Sequence, residues 1–539
     1  MSVTTRVLAV RARIAAGADR GPTADALTLD LLAGGPIARE RVPVLWGDDA
    51  ALRALADAKR APLAPALASE LAEYHRRLGA SSASLANLDR LTRGEAVATV
   101  AGQQPAPLGG PLYSLHKTAC SIGLAAEVTR RTGHACVPLF WMHGEDSDFA
   151  EIRGATVADA ELQLHDVQLP DGVHRDGQLV GGIAVEALRE VGAQAIACWQ
   201  GLAGHADVVA LWTRSLAHAR DLGEAMSALW LAVFAEQGLV VVDPRLPAFR
   251  AAARPILERY LGDAEALEAA ASAAGARMEK LTGKRALNDS ALHSFVFEVQ
   301  DGRRQKLSAA EARARGSAIT LCPSVALRPA VQDGVFPTVA MACGPGELAY
   351  LMELREVFSG VGVRPAAPAL RFGATWLPPA AVSLLDAAGG EPWEVVAHTD
   401  AVLTRLAETR VPVAVQQALA AARAALARSL ARVADESRAF DPSLPQMIES
   451  ARGKMDYQLS RLAEGVLGKA RGRLDREHPL WRRLRYVLQP GDKLQERRLA
   501  SLEPIARLGR GVVADLCELS AEHAAHTAAG VHEHHLLEA

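Results

Sequence analysis

Aromatic side chains make up only 4% of this 539-residue chain, cysteine occurs six times, and 59 Lys+Arg nearly balance 62 Asp+Glu. Each scarcity excludes something. A formal net charge of −3, without blocks of one sign, leaves no electrostatic footprint for a nucleic-acid partner. Cys120, Cys136, Cys198, Cys322, Cys343 and Cys517 form no C-x-x-C pair, which argues for reduced thiols in the cytosol and against a structural zinc site. No apolar run approaches a bilayer span, so no membrane association is expected. The opening MSVTTRVLAVRARIAAGADR interrupts its apolar residues with Arg6, Arg11 and Arg13, unlike a secretory signal. A cytoplasmic location is therefore expected. G-x-S-x-G, Walker A and spaced Cys-His sets are also missing, and the classes they mark lose support.

What is present concentrates between Thr99 and Ile152. Apolar residues around Ala96–Val100 read as a strand feeding Gly102-Gln103-Gln104, and Gly109-Gly110-Pro111 opens a helix, since proline suits a first helical position. Leu112, Leu115, Ala119, Ile122 and Ala126 repeat at three and four residues, which predicts a buried stripe. Tyr113, His116, Lys117 and Cys120 share the neighbouring face. Thr132-Gly133 stops the helix, Val137–Met142 makes a second strand, and His143-Gly144-Glu145-Asp146-Ser147-Asp148 follows it. Both loops leave the C-terminal ends of strands, where open α/β sheets place ligands.

Around this stretch the first ninety or so residues read as helix, with Leu27–Leu32 and Leu67–Leu78 clearest. Val157–Val185 reads as short strands and turns, and Leu239–Val242 as a buried strand ending at Asp243, which suits a ligand crevice or a helix cap equally. Ser294–Val299 and Arg304–Leu307 read as a hairpin across Asp301-Gly302. Thr338–Ala342, Gly344-Pro345-Gly346-Glu347 and the helix Leu348–Phe358 repeat the strand, turn, helix pattern, and backbone N–H groups at such a corner can hold an anion. Beyond Pro379 the chain turns helical. Leu419, Leu426 and Val433, then Ile448, Met455 and Leu462, lie seven apart on either side of Asp441-Pro442-Ser443-Leu444-Pro445. That predicts an antiparallel helical hairpin with arms of some 40–50 Å, open either to a homodimer seam or to packing within one chain. The domains expected are 1–378, an α/β core with an insertion at about 155–320, and 379–539, helical.

Each chemical candidate has a plainer competitor. Asp146 and Asp148, if extended, face one side and suit an amine, a ribose or a metal; with Glu151 three residues on, Asp148 equally fits a helix cap. His116 and Lys117 can donate to phosphate or carboxylate, or form a solvated face. Gln103 and Gln104 can meet a substrate or stabilise their turn. His143 lacks a partner at metal spacing, and no metal is expected. His532, His534 and His535 read as an exposed tail with adventitious metal affinity.

Taken in order, A-G-Q-Q-P, G-G-P-L-Y-S-L-H-K, P-L-F-W-M-H-G-E-D-S-D-F-A-E-I, L-R-P-A-V-Q-D, G-P-G-E-L-A-Y and P-G-D-K-L-Q-E-R resemble the BshC family, the cysteine ligases assigned to bacillithiol biosynthesis. The resemblance covers most of the chain. It implies a Rossmann-like, nucleotidyltransferase-like core with inserted segments, a C-terminal coiled-coil domain, and addition of L-cysteine to the amino group of glucosaminyl malate. It carries over Gly102, Gln103, Gln104, Gly110, Pro111, Tyr113, His116, Lys117, Trp141, Gly144, Glu145, Asp146 and Asp148, then Arg328, Pro329, Gly344, Gly346, Glu347 and Tyr350. Where the family usually has G-E-D-H-D this chain has Ser147, which cannot act as an imidazole, and His143 stands where a small residue is usual.

Amide formation from a carboxylate needs activation, as an adenylate or an acyl phosphate, so ATP or another nucleotide is expected. In this reading the Gln103–Gly110 loop with His116 and Lys117 holds the anionic group. Asp146 or Asp148 binds the cysteine ammonium or takes a proton from the attacking amine. Tyr113, His143, Arg328, Gly344, Gly346 and Glu347 complete the substrate site. Two rivals stand beside it: an adenylyl-transferring ligase for another amine or acid, and a non-catalytic scaffold that binds a small molecule.

Overall fold

The computed structural model describes residues 7–10, 25–316 and 320–538. Apart from Val7–Val10, the opening stretch read above against a secretory signal lies outside the described residues. Among the described residues no helix is long and apolar enough to cross a membrane.

Five parallel strands form the central sheet: β1 (Ala96–Gln103), β2 (Ala135–Met142), β3 (Val240–Val242), β4 (Thr338–Cys343) and β5 (Ala367–Leu370). Their spatial order is β5-β4-β1-β2-β3. Burial on both faces explains why they read as continuous apolar runs rather than alternating ones. The chain winds outward from β1 through β2 to β3, then returns to lay β4 and β5 on the other side of β1. The order therefore reverses between β1 and β4, the switch point at which such sheets open a crevice. β3 lies inside the span expected to be an insertion; its Val240–Val242 pair with Leu139–Trp141, so it belongs to the core. Besides helices, the inserted segments carry two small antiparallel sheets, Gly154–Ala158 with Leu164–Gln168, and Val296–Gln300 between Arg303–Leu307 and Leu321–Pro323.

Helix α1 (Tyr113–Thr132) ends at Gly133, whose φ of 77° is the left-handed cap predicted at Thr132-Gly133. Its burial differs from a single stripe: Ile122 is half-buried and Ala126 exposed, while Ser114, Thr118, Ser121, Leu124 and Val128 are buried. The sheet covers one side of α1, and α6 (Val512–Ala528) covers another. Gly123 makes that approach feasible, because a Cβ there would stand 2.5 Å from the Ser520 carbonyl oxygen. Along the acidic loop runs α2 (Phe149–Ile152), and α3 (Pro345–Glu353) follows β4.

Two compact units emerge, Met1–Trp376 with Asp492–Ala539, and Leu377–Gly491. The helical span expected at 379–539 is thus divided between the two units. The last segment joins the first unit because α6 packs on α1 and the strand His534–Glu538 lies between Val7–Val10 and Gly373–Leu377. His534 and His535 are consequently buried rather than an exposed tail, and His532 is half-buried. Burial brings the three imidazoles down to about 4, 3 and 4 for His532, His534 and His535, so they are neutral at pH 7.

The second unit carries the predicted hairpin, α4 (Val413–Ser437) and α5 (Leu444–Glu477). Arg423 meets Asp456 and Ser460, and Arg410 meets Glu477, which fixes the antiparallel sense. Leu419, Leu426, Ile448 and Val466 are half-buried, whereas Val433, Met455 and Leu462 are exposed.

Candidate active site

A cleft of about 970 Å³ opens at the switch point. Eleven of the twelve expected site residues line it: Gln103, Gln104, Tyr113, Lys117, His143, Asp146, Asp148, Arg328, Gly344, Gly346 and Glu347. His116 does not.

Lys117 sits where the two halves of the sheet part. Its Nζ donates to the Gly102 carbonyl at the end of β1 (2.7 Å) and pairs with Glu347 after β4 (2.8 Å). The residue is 3% exposed, not part of a solvated face, because α1 is enclosed on most sides. Glu347 also accepts from the Gly344 N–H at 3.0 Å. The helix start expected to hold an anion is thus capped by the chain's own carboxylate. Gln103 Nε2 donates to the Tyr113 hydroxyl at 2.9 Å. The glycine end of the same loop is covered instead: Ser501 Oγ donates to the Gly109 carbonyl, Ser501 N to the Gly110 carbonyl, and Leu112 N to the Leu499 carbonyl. Gly109 and Gly110 therefore form a packed corner, and only Gln103 and Gln104 of that loop reach the cleft.

The acidic loop forms the facing wall. Asp148 accepts from the Glu151 N–H and caps α2, so its plainer reading is realised while it still lines the cleft. Gln104 Nε2 donates to Asp146 and Glu151, both at 2.7 Å. Arg304, from the hairpin insertion, pairs with Asp146 and donates from Nε to Ser147 Oγ at 2.9 Å. Ser147 thereby helps orient a cation. Glu145 pairs with Arg250 at 2.8 Å. Burial pushes its carboxyl up to about 7 against the pull of Arg250, a value suited to proton transfer near neutral pH. His143 is held well below its ordinary value by burial and by Arg328 and Lys117. It is a neutral imidazole whose Nε2 has no hydrogen-bond partner among the described residues.

His116 is fully buried, and its Nδ1 stands 3.2 Å from Glu496 while its Nε2 accepts from the Trp376 indole. This corrects its expected contact with the anionic group. Glu496 binds the Arg371 guanidinium at 2.6 and 3.0 Å. Burial would raise the Glu496 carboxyl, but Arg371 and His116 outweigh it and hold the pKa well below the usual range. Arg371 in turn lines the cleft over the Tyr113 ring, 5.4 Å from its centroid. His116 is thus a positioning residue for Arg371. The late P-G-D-K-L-Q-E-R segment gains a purpose here. Gln495 brackets the backbone of Trp376, Glu496 anchors Arg371, and Arg497 lines the cleft. Sequence reasoning also left Arg304, Lys306, Arg371 and Arg497 out of the site. They arrive from a hairpin and from segments far along the chain, and only the late motif hinted at one of them.

The cleft thus presents Lys117, Arg304, Lys306, Arg328, Arg371 and Arg497 against Glu145, Asp146, Asp148, Glu151 and Glu347. Such a set suits small ligands carrying both carboxylate or phosphate and ammonium groups. Comparison with known families agrees. Residues 49–318 and 311–371 match the bacillithiol biosynthesis BshC N-terminal Rossmann-like domain, and 374–528 match its C-terminal coiled-coil domain. Among curated relatives, a protein of Koribacter versatilis is 29% identical over 84% of this chain and 87% of its own length. One of Symbiobacterium thermophilum is 28% identical over 84% and 87%, and one of Salinibacter ruber 25% identical over 90% and 92%. All three are named "Putative cysteine ligase BshC". A Rossmann-like core with its parallel sheet, the helical coiled-coil unit and similarity along nearly the whole chain place this protein in the BshC family of bacillithiol biosynthesis.

Proposed function

We propose that this chain is a cysteine ligase that joins the carboxyl of L-cysteine to the amino group of glucosaminyl malate, acting in the cytoplasm. The observation that carries this reading is a single cleft in which a cluster of cations faces Glu145, a carboxylate that changes protonation near neutral pH. Amide formation asks for both. A free carboxylate is a poor acyl donor, so the cysteine carboxyl is activated as an adenylate or acyl phosphate at the expense of ATP or another nucleotide. Lys117, Arg328, Arg371 and Arg497 offset negative charge that grows on the acyl group and the leaving phosphate. Glu145 takes the proton that the attacking amine must lose. Asp146 and Asp148 receive the cysteine ammonium, and Arg304 and Lys306 meet the malate carboxylates.

Ser147 favours a second reading, in which the same machinery serves a different amine, since the family's usual histidine is replaced where Arg304 is oriented. Profiling amines with the purified protein separates the two. The arm supports a homodimer: Val433, Met455 and Leu462 stand exposed, and each belongs to a heptad series.

Disruption of the gene in the producing cell tests the main reading. Bacillithiol is lost, glucosaminyl malate accumulates, and wild-type protein but not Lys117→Ala or Glu145→Gln restores the thiol. Unchanged thiol after disruption, or full rescue by both variants, contradicts it in favour of a scaffold or another substrate.

A further inference from the structure

Away from the cleft, the end of α6 and the strand after it bring His523, Glu533 and His535 together. One ligand atom from each lies within 4.8 Å of the others, and all three residues are buried. Among the described residues this is the one group of three or more His, Cys, Asp or Glu so arranged. Among the described residues neither nitrogen of His535 has a hydrogen-bond partner, although the residue is 2% exposed, and His523 Nδ1 has none either. Leaving such atoms dry and unbonded is costly unless something occupies the space between them.

The surroundings are those of ligands held for an ion. His523 Nε2 lies 3.1 Å from the Leu370 carbonyl oxygen at the end of β5. That bond places the proton on Nε2 and leaves the Nδ1 lone pair facing the cluster. His526 Nδ1 lies 2.9 Å from Glu533 Oε2, an outer hydrogen bond of the kind that fixes a ligating carboxylate. A set of two imidazoles and one carboxylate fits zinc, and His532, whose Nδ1 also lacks a partner, or a water fills the fourth position. Bonds of about 2.0–2.2 Å require the three ligand atoms to draw together by small side-chain rotations.

We propose that His523, Glu533 and His535 form a structural centre for zinc or a similar divalent transition metal, tying the last strand and α6 to the end of β5. The next residues after β5 give it a further purpose. The Phe372 ring packs edge-on against His523 and His535 and lies 5.2 Å from the His116 ring. A filled centre therefore stiffens the back of the wall whose front is Arg371. This inference does not rest on the ligase reading.

The test uses the full chain, stripped with a chelator and titrated with Zn²⁺ against a chromophoric competitor, and separately with Co²⁺. Expected are about one ion per chain, visible d–d bands of a tetrahedral N/O site with Co²⁺, and a rise in Tm on zinc addition. His523→Ala and His535→Ala lose the stoichiometric ion, and His526→Ala weakens it by about 10–100-fold. If a variant fails to fold, the Co²⁺ spectrum of the wild type still decides. Absence of stoichiometric binding, an octahedral aqua-like spectrum, or equal binding by wild type and folded variants overturns the proposal.

Discussion

Glu145 and Arg250 set the pH sign of the reaction. With the carboxyl raised to about 7, its base form is lost as pH falls through that value. The rate under kcat/KM conditions should therefore rise from pH 6 to 8 along a limb centred near 7. Glu145→Gln should remove the limb and cost about 100-fold or more in kcat. Arg250 opposes the upward push of burial, so Arg250→Met should move the limb to higher pH; a pH–rate profile of the three proteins checks this. Ser147 is a milder case. Arg304 keeps Asp146 as a partner when the serine hydroxyl is removed, so Ser147→Ala should raise KM by no more than about tenfold with kcat retained, in keeping with the loss of one hydrogen bond.

The strap around Gln495–Arg497 makes a sharper prediction among the elements. Arg371 is buried, and Glu496 is its carboxylate partner. Glu496→Ala should cost about 3–5 kcal/mol, as for any buried ion pair broken from one side, seen as a lower Tm of the first unit. Because the Glu496 pKa lies well below its ordinary value, its contribution is present above the usual carboxylate range and fades as pH falls through the depressed value. Gly123→Val should also destabilise, by about 1–3 kcal/mol, where α1 meets α6. These elements show what a sequence reveals. Strand, turn and helix at Gly102–Thr132 and at Gly344–Glu353 were legible because turn glycines and caps act within a few residues, although Pro111 precedes the first helical residue, Tyr113, and the buried face of α1 differs from the predicted stripe. The burial of His116 and Lys117 was not, because it depends on α6 arriving some 400 residues later. Nor was the filling of the Gly109-Gly110 corner by Leu499–Ser501, or the approach of Arg304 from a hairpin. The histidines near the end misled for the same reason: the strand His534–Glu538 is buried by pairing on both edges with segments far away in sequence.

In the molecule as a whole, the arm and the core make separate claims. If α4 and α5 supply a dimer seam, Met455→Glu with Leu462→Glu should convert a dimer to a monomer by light scattering while leaving far-UV ellipticity unchanged. An unaltered mass would place the seam elsewhere. The core claim is that the switch-point cleft makes an amide from cysteine. Its most direct measurement incubates the purified protein with L-cysteine, glucosaminyl malate and ATP, then reads products by mass spectrometry. The account predicts the mass of bacillithiol, formed with nucleotide consumption and absent with Glu145→Gln or Lys117→Ala. No amide product with ATP, with other nucleotides, or after addition of host extract would contradict it.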